Sequence, residues 1–355
     1  NSISEDIQLM NYNTQNNFDL IRLFAAAQVA LTHAAKYFNI KSQFFDILGL
    51  FPGVPIFFFV SGYLIYGSYK QSTKSKYTNL NFFIKRFFRL YPALWLCFFF
   101  SIISIWNTGY FREVEFSTFE FLSWAIAHNT IFQFYHPDFM RNYGLGVLNG
   151  SLWSISVEIQ FYLLTPFIFY FINRYKLGLV WVIVLILIFT NVLDANINDR
   201  INIYKKLLAV SFLPWLYMFI LGAIAYKFSS ITKLVTKIHV LIVIGIYILS
   251  YILSRDFIWG NLNPISVSYL MMPMLILKIA YTAPQLSDKI LKKNDISYGI
   301  YIFHMPIINY FLHQQITGLA AFFLTILLTV TIASISWFFY EKKILSFKKY
   351  ALRKN

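Results

Sequence analysis

Residues 18–38 read FDLIRLFAAAQVALTHAAKYF, and this stretch decides what kind of molecule the chain makes. Twenty helical residues rise about 30 Å, the thickness of a bilayer's hydrocarbon core. The run nevertheless carries Asp19, Arg22, His33 and Lys36. With Ala26 and Val29 they recur every three or four residues, which is one face of a helix. Arg22 and His33 then stand about 20° from eclipsed and roughly 16 Å apart along the axis. An ionisable side chain within a span costs about 2.5–3.5 kcal/mol on insertion scales, so such a stripe needs partners or a task. In the bland reading, Asp19–Arg22 is an interfacial ion pair and His33 a packed polar residue. In the functional one, a wall of the bundle presents an ion pair near the cytoplasm and an imidazole near the outer side.

Outward from this stretch the pattern repeats. Of 355 residues, 58% are hydrophobic and 13% charged, with 39 Phe, 25 Tyr and 8 Trp. A soluble domain carries about 25% charged residues, and a chain with this balance lacks the polar surface to cover itself. Apolar runs near 18–37, 50–69, 88–108, 152–173, 177–194, 208–226, 238–254, 264–282, 296–312 and 318–340 predict an all-α polytopic membrane bundle of about ten transmembrane helices. A shorter stretch at 119–135 holds Glu120, His128, Asn129 and Gln133. Charge arbitrates its topology. If it does not cross, about two-thirds of the 30 lysines and arginines collect on one side, as the positive-inside rule requires. The expectation is therefore a re-entrant or interfacial helix near 119–135 on the outer side, with both termini cytoplasmic.

The formal net charge of +15 belongs to the same pattern: its cations lie in loops, which argues against nucleic acid as a partner and for the lipid bilayer. The single cysteine, Cys97, excludes an internal disulfide and reads as lipid-facing or as core filler. The opening NSISEDIQLMNYNTQNN is polar and lacks a signal peptide's basic start. Without an initial Met, it is expected to be trimmed or processed. The organisation read from this is a polar cytoplasmic segment at 1–17, a transmembrane domain at 18–341 and a basic cytoplasmic tail at 342–355.

Several short motifs follow one another along the chain. Asp19-x-x-Arg22, ten residues and His33 come first. Gly53-Val-Pro-Ile-Phe-Phe-Phe-Val-Ser61-Gly62-Tyr63 follows, then Phe83-Ile-Lys85-Arg86-Phe-Phe-Arg89-Leu-Tyr91-Pro92. Next come Leu152-Trp153-Ser154-Ile-Ser156-Val-Glu158-Ile-Gln-Phe-Tyr162, then Ile296-Ser297-Tyr298-Gly299-Ile-Tyr301-Ile-Phe-His304-Met-Pro306, and last Phe339-Tyr340-Glu341. Each is weak alone. Six in order across 19–341 resemble the acyltransferase-3 family of integral membrane O-acyltransferases. Pro55 stands where many members have an acid, and Lys85 where many have Arg, so any role of an acid at 55 is missing here.

The resemblance implies transfer of an acyl group, usually acetyl from acetyl-CoA as cosubstrate, to a sugar hydroxyl of a surface glycan such as O-antigen or lipopolysaccharide, lipid-linked or already polymerised. The residues suit that task. CoA is a polyanion, and Lys85, Arg86 and Arg89 offer it cations, unless they are membrane anchors alone. Arg22, on the histidine's face, is the better candidate to touch phosphate or pantetheine. His33 would take the hydroxyl proton as general base, or carry the acyl group; direct transfer needs fewer unstable species. Asp19, paired with Arg22, is a catalytic candidate beside His33 and Glu158. Glu158, with Ser154 and Tyr162 a turn away on either side, either orients the imidazole and holds sugar hydroxyls or bridges helices.

Ser297, Tyr301 and His304 share a helix face. Pro306, lacking an N–H, frees a carbonyl one turn earlier, which offers His304 a structural hydrogen bond as readily as a catalytic role. Ser61, Gly62 and Tyr63 permit close backbone approach and lack the surroundings of a hydrolase elbow. Trp153, Ser156, Tyr298 and Tyr301 read as substrate or structural positions. His128 and His136, eight apart with no third ligand, make a poor metal site and a better sugar-recognition one, so no metal is expected. His239 and His313 read as interfacial. The competing class is a glycan or acyl-group transporter, which intramembrane charge would also suit; a glycan polymerase would need a larger outer loop.

Reporter fusions after residue 140 and at the C-terminus test the topology: an outside signal at 140 and an inside signal at the end are expected. An inside signal at 140 would make 119–135 a span.

Overall fold

A computed structural model describes residues 15–175, 203–256 and 265–352, together with Gly178 and Leu185. The expected span at 177–194 lies outside the described residues apart from those two positions, as does most of the 1–17 segment. The described residues are helices joined by turns, without strands. Helices of nine residues or more are, in chain order, α1 (Phe18–Tyr37), α2 (Gly53–Ser72), α3 (Thr78–Thr108), α4 (Thr118–His128), α5 (Trp153–Arg174), α6 (Leu216–Lys227), α7 (Ser229–Lys237), α8 (Val240–Asp256), α9 (Ile265–Tyr281), α10 (Ser297–His313), α11 (Gly318–Ile335) and α12 (Lys342–Ala351).

Among the described residues, four helices are long and apolar enough to cross a membrane: Gln43–Ser72, Thr78–Thr108, Trp153–Arg174 and Gly318–Lys348. A fifth arises if Leu213–Lys227 and Ser229–Lys237, bent by 90°, count together. α8 and α9 are apolar but shorter. The stretches expected at 18–37 and 296–312 are helical too, as α1 and α10. α1 falls short of the apolar standard because of its own charges, Asp19, Arg22 and Lys36.

One expectation changes. The 119–135 helix stops at His128, and turns follow. Its 11 residues rise about 16 Å, roughly half the hydrocarbon thickness. It begins with a full capping box: Ser117 Oγ accepts the Glu120 amide, and the Glu120 carboxylate accepts the Ser117 amide at 2.8 Å. That contact holds the exposed Glu120 carboxyl below its ordinary range. Cys97 is fully buried, which agrees with the core-filler reading of the two offered.

The contacts divide the chain into two compact units. The first comprises residues 1–22, 53–74 and 160–293. Its centre is the crossing of α2 and α6, where Gly62 lies against the Phe219 carbonyl and Gly222 against that of Phe59. A Cβ at either glycine would overlap the carbonyl oxygen, well inside the carbon–oxygen contact distance, so two missing side chains set the distance between these helices. Phe161 stacks on Phe219 with centroids 4.5 Å apart, and the Tyr63 hydroxyl meets that of Tyr281. Asn17 anchors the start of α1: its amide donates to the carbonyls of Thr282 at 2.8 Å and Ala283 at 3.1 Å, and its oxygen accepts the Ser287 amide at 2.9 Å.

The second unit comprises residues 23–52, 75–159 and 294–355. α10 is its axis, with nearly every side chain from Ser297 to Phe311 buried. α11 turns a stripe of Ala321, Thr325, Thr329 and Ala333 inward, while Phe323 and Leu327 stay exposed as lipid-facing residues would. Trp124 of α4, Tyr110, Met140 and Tyr143 close a separate apolar cluster.

Gly62→Ala is expected to lower the melting temperature of the purified protein in detergent, at a cost of about 1–3 kcal/mol for overpacking. Gly49→Ala, whose Cβ meets nothing within 4 Å, serves as control. Equal melting of Gly62→Ala and wild type would refute the crossing.

Candidate functional site

Pro306 has no amide hydrogen, so the carbonyl of Ile302, one turn earlier on α10, loses its helical donor. The structure fills that carbonyl from outside the helix. Asn149 Nδ2 donates to it at 2.7 Å and the Cys97 thiol at 3.2 Å. His304 is therefore not needed there, and the structural hydrogen bond expected of it is made by other residues.

His304 is completely buried and does something else. Its Nδ1 lies 3.3 Å from the Ile300 carbonyl, which can only accept, so Nδ1 carries the hydrogen. Its Nε2 is then an acceptor, and it lies 3.0 Å from Nδ1 of His33 on α1. His33 must donate from Nδ1, which leaves the lone pair on its Nε2. The relay carbonyl–His304–His33 thus selects one tautomer of His33, with a basic nitrogen at the far side of the ring. The rings are 5.2 Å apart between centroids.

Around this pair runs a chain of hydroxyls. Tyr301 and Ser154 share a hydrogen bond of 2.6 Å, and the Tyr301 hydroxyl also reaches the Ser151 carbonyl at 3.2 Å. Ser151 Oγ donates to Asn149 Oδ1 at 2.7 Å, closing the circuit onto Ile302. Glu158, half-buried on α5, acts electrostatically on Tyr301. The group hydrogen-bonded to the His33 imidazole is His304 and not this carboxylate. Ser156 is bonded to Gln133 at 2.6 Å, and Trp153 begins α5 beside these groups in sequence.

A second polar centre joins α3 to α10. Arg89 pairs with Asp295, and its guanidinium lies over the Tyr298 ring at 6.0 Å. The Tyr298 hydroxyl donates to the Leu90 carbonyl at 3.2 Å. Asp295 also receives the Ser297 amide and hydroxyl. Glu341 ends a π-helical turn over Ser336–Glu341 and accepts Ser336 Oγ at 2.6 Å, an i, i+5 contact that this wide turn brings into reach. Lys85 and Arg86 sit one turn before Arg89 on the same helix.

In the first unit, Arg22 lies 3.7 Å from Asp19. Ser61 and Tyr63 belong to this unit as well, with Tyr63 engaged by Tyr281. His33, Lys85, Arg86, Arg89, Trp153, Ser156, Glu158, Tyr298, Tyr301 and His304 all belong to the second.

His128 changes character. It is buried between Trp124, Phe98 and His136, with no room for a sugar to reach it. Burial, with His136 nearby, lowers its pKa to about 3, and burial with Arg141 lowers that of His136 to about 4, so both are neutral at pH 7. His313 packs against Tyr110 and Tyr143. Among the described residues no three His, Cys, Asp or Glu side chains converge as metal ligands.

Asn149, Asp295 and Asn309 had no place in the motifs. Asn309 straps the loop before α5: its amide reaches the Val147 and Leu148 carbonyls at 2.9 Å, and its oxygen takes the Leu145 amide. Gly144 is obliged to be glycine there, with φ +53 and a Cβ position 2.6 Å from Asn309 Oδ1. The signal available in sequence was an Asn five residues beyond His304 in an otherwise apolar helix.

The helical fold thus holds an oriented imidazole pair and an arginine–carboxylate centre. The comparisons name the family. A family model described as an acyltransferase domain matches residues 15–340, and the chain belongs to that acyltransferase-3 family. Nodulation protein 10 of Rhizobium leguminosarum bv. viciae is 29% identical over 316 residues, 83% of each chain. An O-acetyl transferase of Shigella phage Sf6 is 25% identical over 346 residues, covering 93% of this chain and 96% of its own. An O-acetyltransferase of Staphylococcus aureus is 26% identical over 362 residues, 92% of this chain and 56% of that protein. No solved structure matches the chain.

His304→Leu is expected to lower the turnover of acyl transfer about tenfold or more, as when a partner orienting a working imidazole is lost. His304→Gln, whose carbonyl can still accept from His33 Nδ1, is expected to recover most of it. Equal loss in both, at unchanged expression and melting temperature, would reject the tautomer role.

Proposed function

We propose that this protein is a membrane O-acetyltransferase that moves an acetyl group from cytoplasmic acetyl-CoA to a sugar hydroxyl of a surface polysaccharide of the O-antigen or lipopolysaccharide type. The observation that carries the reading is the His304–His33 relay, which leaves the lone pair on His33 Nε2. The names of the Shigella phage and Staphylococcus relatives support O-acetyl transfer as the reaction.

In this reading the acceptor hydroxyl attacks the thioester carbonyl while His33 Nε2 takes its proton. The new C–O bond forms, the C–S bond breaks, and the imidazolium returns the proton to the departing CoA thiolate. His304 holds the imidazole in the tautomer that can begin this cycle and supports the charge that forms on it. Arg22, tied to Asp19, contacts the donor, and the cations Lys85, Arg86 and Arg89 receive its phosphates. Glu158, with Tyr301 and Ser154, positions the acceptor's hydroxyls. Trp153, Ser156, Tyr298, Ser61 and Tyr63 hold the surrounding helices. The protein sits in the inner membrane in about ten spans with both termini cytoplasmic, so that donor and acceptor arrive from opposite sides.

Ester-linked acetyl on purified surface polysaccharide, quantified for wild type, a deletion and His33→Ala at equal expression, tests this. Loss of acetyl by about 100-fold or more in both variants is expected when a general base is removed. Unchanged acetylation with polysaccharide missing from the surface would replace the enzyme by a transporter.

A further inference from the structure

α6 does not run on into α7. The chain turns by 90° between them, within the first unit. Two hydrogen bonds pin the corner. The Thr232 hydroxyl donates to the Ala225 carbonyl of α6 at 3.3 Å. Lys278 of α9 donates to the Thr236 carbonyl at 2.7 Å, near the end of α7, where helical carbonyls lack partners. The stretch Leu213–Lys227 carries no charge before its last residue, as a membrane segment requires. A helix held square to it lies along the plane of the bilayer.

The side chains of α7 sort into three faces. Thr232 and Val235 share the buried one. Ile231 and Leu234, 41% and 66% exposed, lie about 100° round the helix from them. Lys233 and Lys237 lie about 110° further on, both exposed and only about 40° apart. The exposed Leu241 and Ile242 at the start of α8 continue the apolar surface. Apolar side chains on a pinned in-plane helix belong among acyl chains, while lysine stems reach along that boundary to the phosphates.

The lysines are available to an anion. Among the described residues neither Lys233 nor Lys237 pairs with a carboxylate, and the chain has no Asp or Glu from 200 to 255. At i and i+4 on one face they can contact one phosphate together, each by a charge-assisted hydrogen bond. We infer that α7 is an in-plane helix that holds the phosphate of an anionic phospholipid between Lys233 and Lys237, with Ile231 and Leu234 in the acyl layer beside it. The leaflet is the cytoplasmic one in the topology proposed above. No readout below depends on acyl transfer, so the function proposed there can fail without this inference failing.

The full chain in detergent is titrated with phosphatidylglycerol or phosphatidylcholine, and bound lipid is counted by native mass spectrometry. Wild type is expected to retain phosphatidylglycerol in preference. Lys233→Gln with Lys237→Gln should weaken that retention by about tenfold or more, two surface cations being lost, and leave phosphatidylcholine unchanged. Lys289→Gln with Lys292→Gln removes the same charge from exposed positions of the same unit and should behave as wild type. Equal weakening by both pairs would reduce the effect to net charge and overturn the inference. Displacement of the lipid by millimolar inorganic phosphate would overturn it too, since the ligand would then be free phosphate. Depth supplies a second readout in nanodiscs, using a fluorophore on Leu234→Cys or Lys233→Cys; the native Cys97 is buried and does not compete for label. Brominated acyl chains should quench the label at 234 more strongly than at 233, and equal quenching would reject the in-plane helix.

Discussion

The carbonyl of Ile302 is the point on which the second unit turns. A proline four residues on deprives it of its helical donor, and a bare carbonyl in an apolar interior costs about 1–3 kcal/mol. The chain answers with Asn149 and Cys97, one from the loop before α5 and one from α3. Two segments are thereby fixed to the same turn of α10. Asn309 repeats the device half a helix later, holding the same loop by its backbone. With those donors in place, His304 keeps both ring nitrogens for the relay to His33.

The same constraint organises the charged groups. In a low-dielectric matrix an ion without a partner is expensive. Arg89, mostly buried, has Asp295, and that pair ties α3 to the residues just before α10. Arg22–Asp19 and the exposed Arg141–Asp138 are pairs one turn apart along the chain. The histidines divide in a parallel way. His128 is sealed among aromatic rings and, like its neighbour His136, stays neutral, whereas His33 has its tautomer set by His304.

Much of this was readable before any coordinates. Among the described residues helices fell on the apolar runs, because in a membrane-length apolar segment the backbone has no alternative to pairing with itself, though only four or five of them are long and apolar enough to cross. The short segment at 118–128 was separated from the spans by charge and by length, and its end was misjudged only because the polar residues 129–135 continue an aromatic pattern through turns. Gly62 was marked as a close-approach site from its small size, and it sits against a carbonyl. The candidate histidines and cations also stood out, since an ionisable residue in an apolar run is conspicuous whatever it does.

What residues of different helices do to one another was not readable. No spacing links His33 to His304, 271 residues away, or Arg89 to Asp295, 206 away. Sequence periodicity determines which face of a helix a residue occupies, so by itself it established the helices, their apolar and charged stripes and the family motifs. It carries no information about which face of another helix comes opposite. That pairing is decided by packing, here by glycines that let backbones touch and by a proline that leaves a carbonyl for others to satisfy. The tautomer of His33, the pairing of Arg89 with Asp295 and the burial of His128 are consequences of that packing, and only the tertiary structure could assign them.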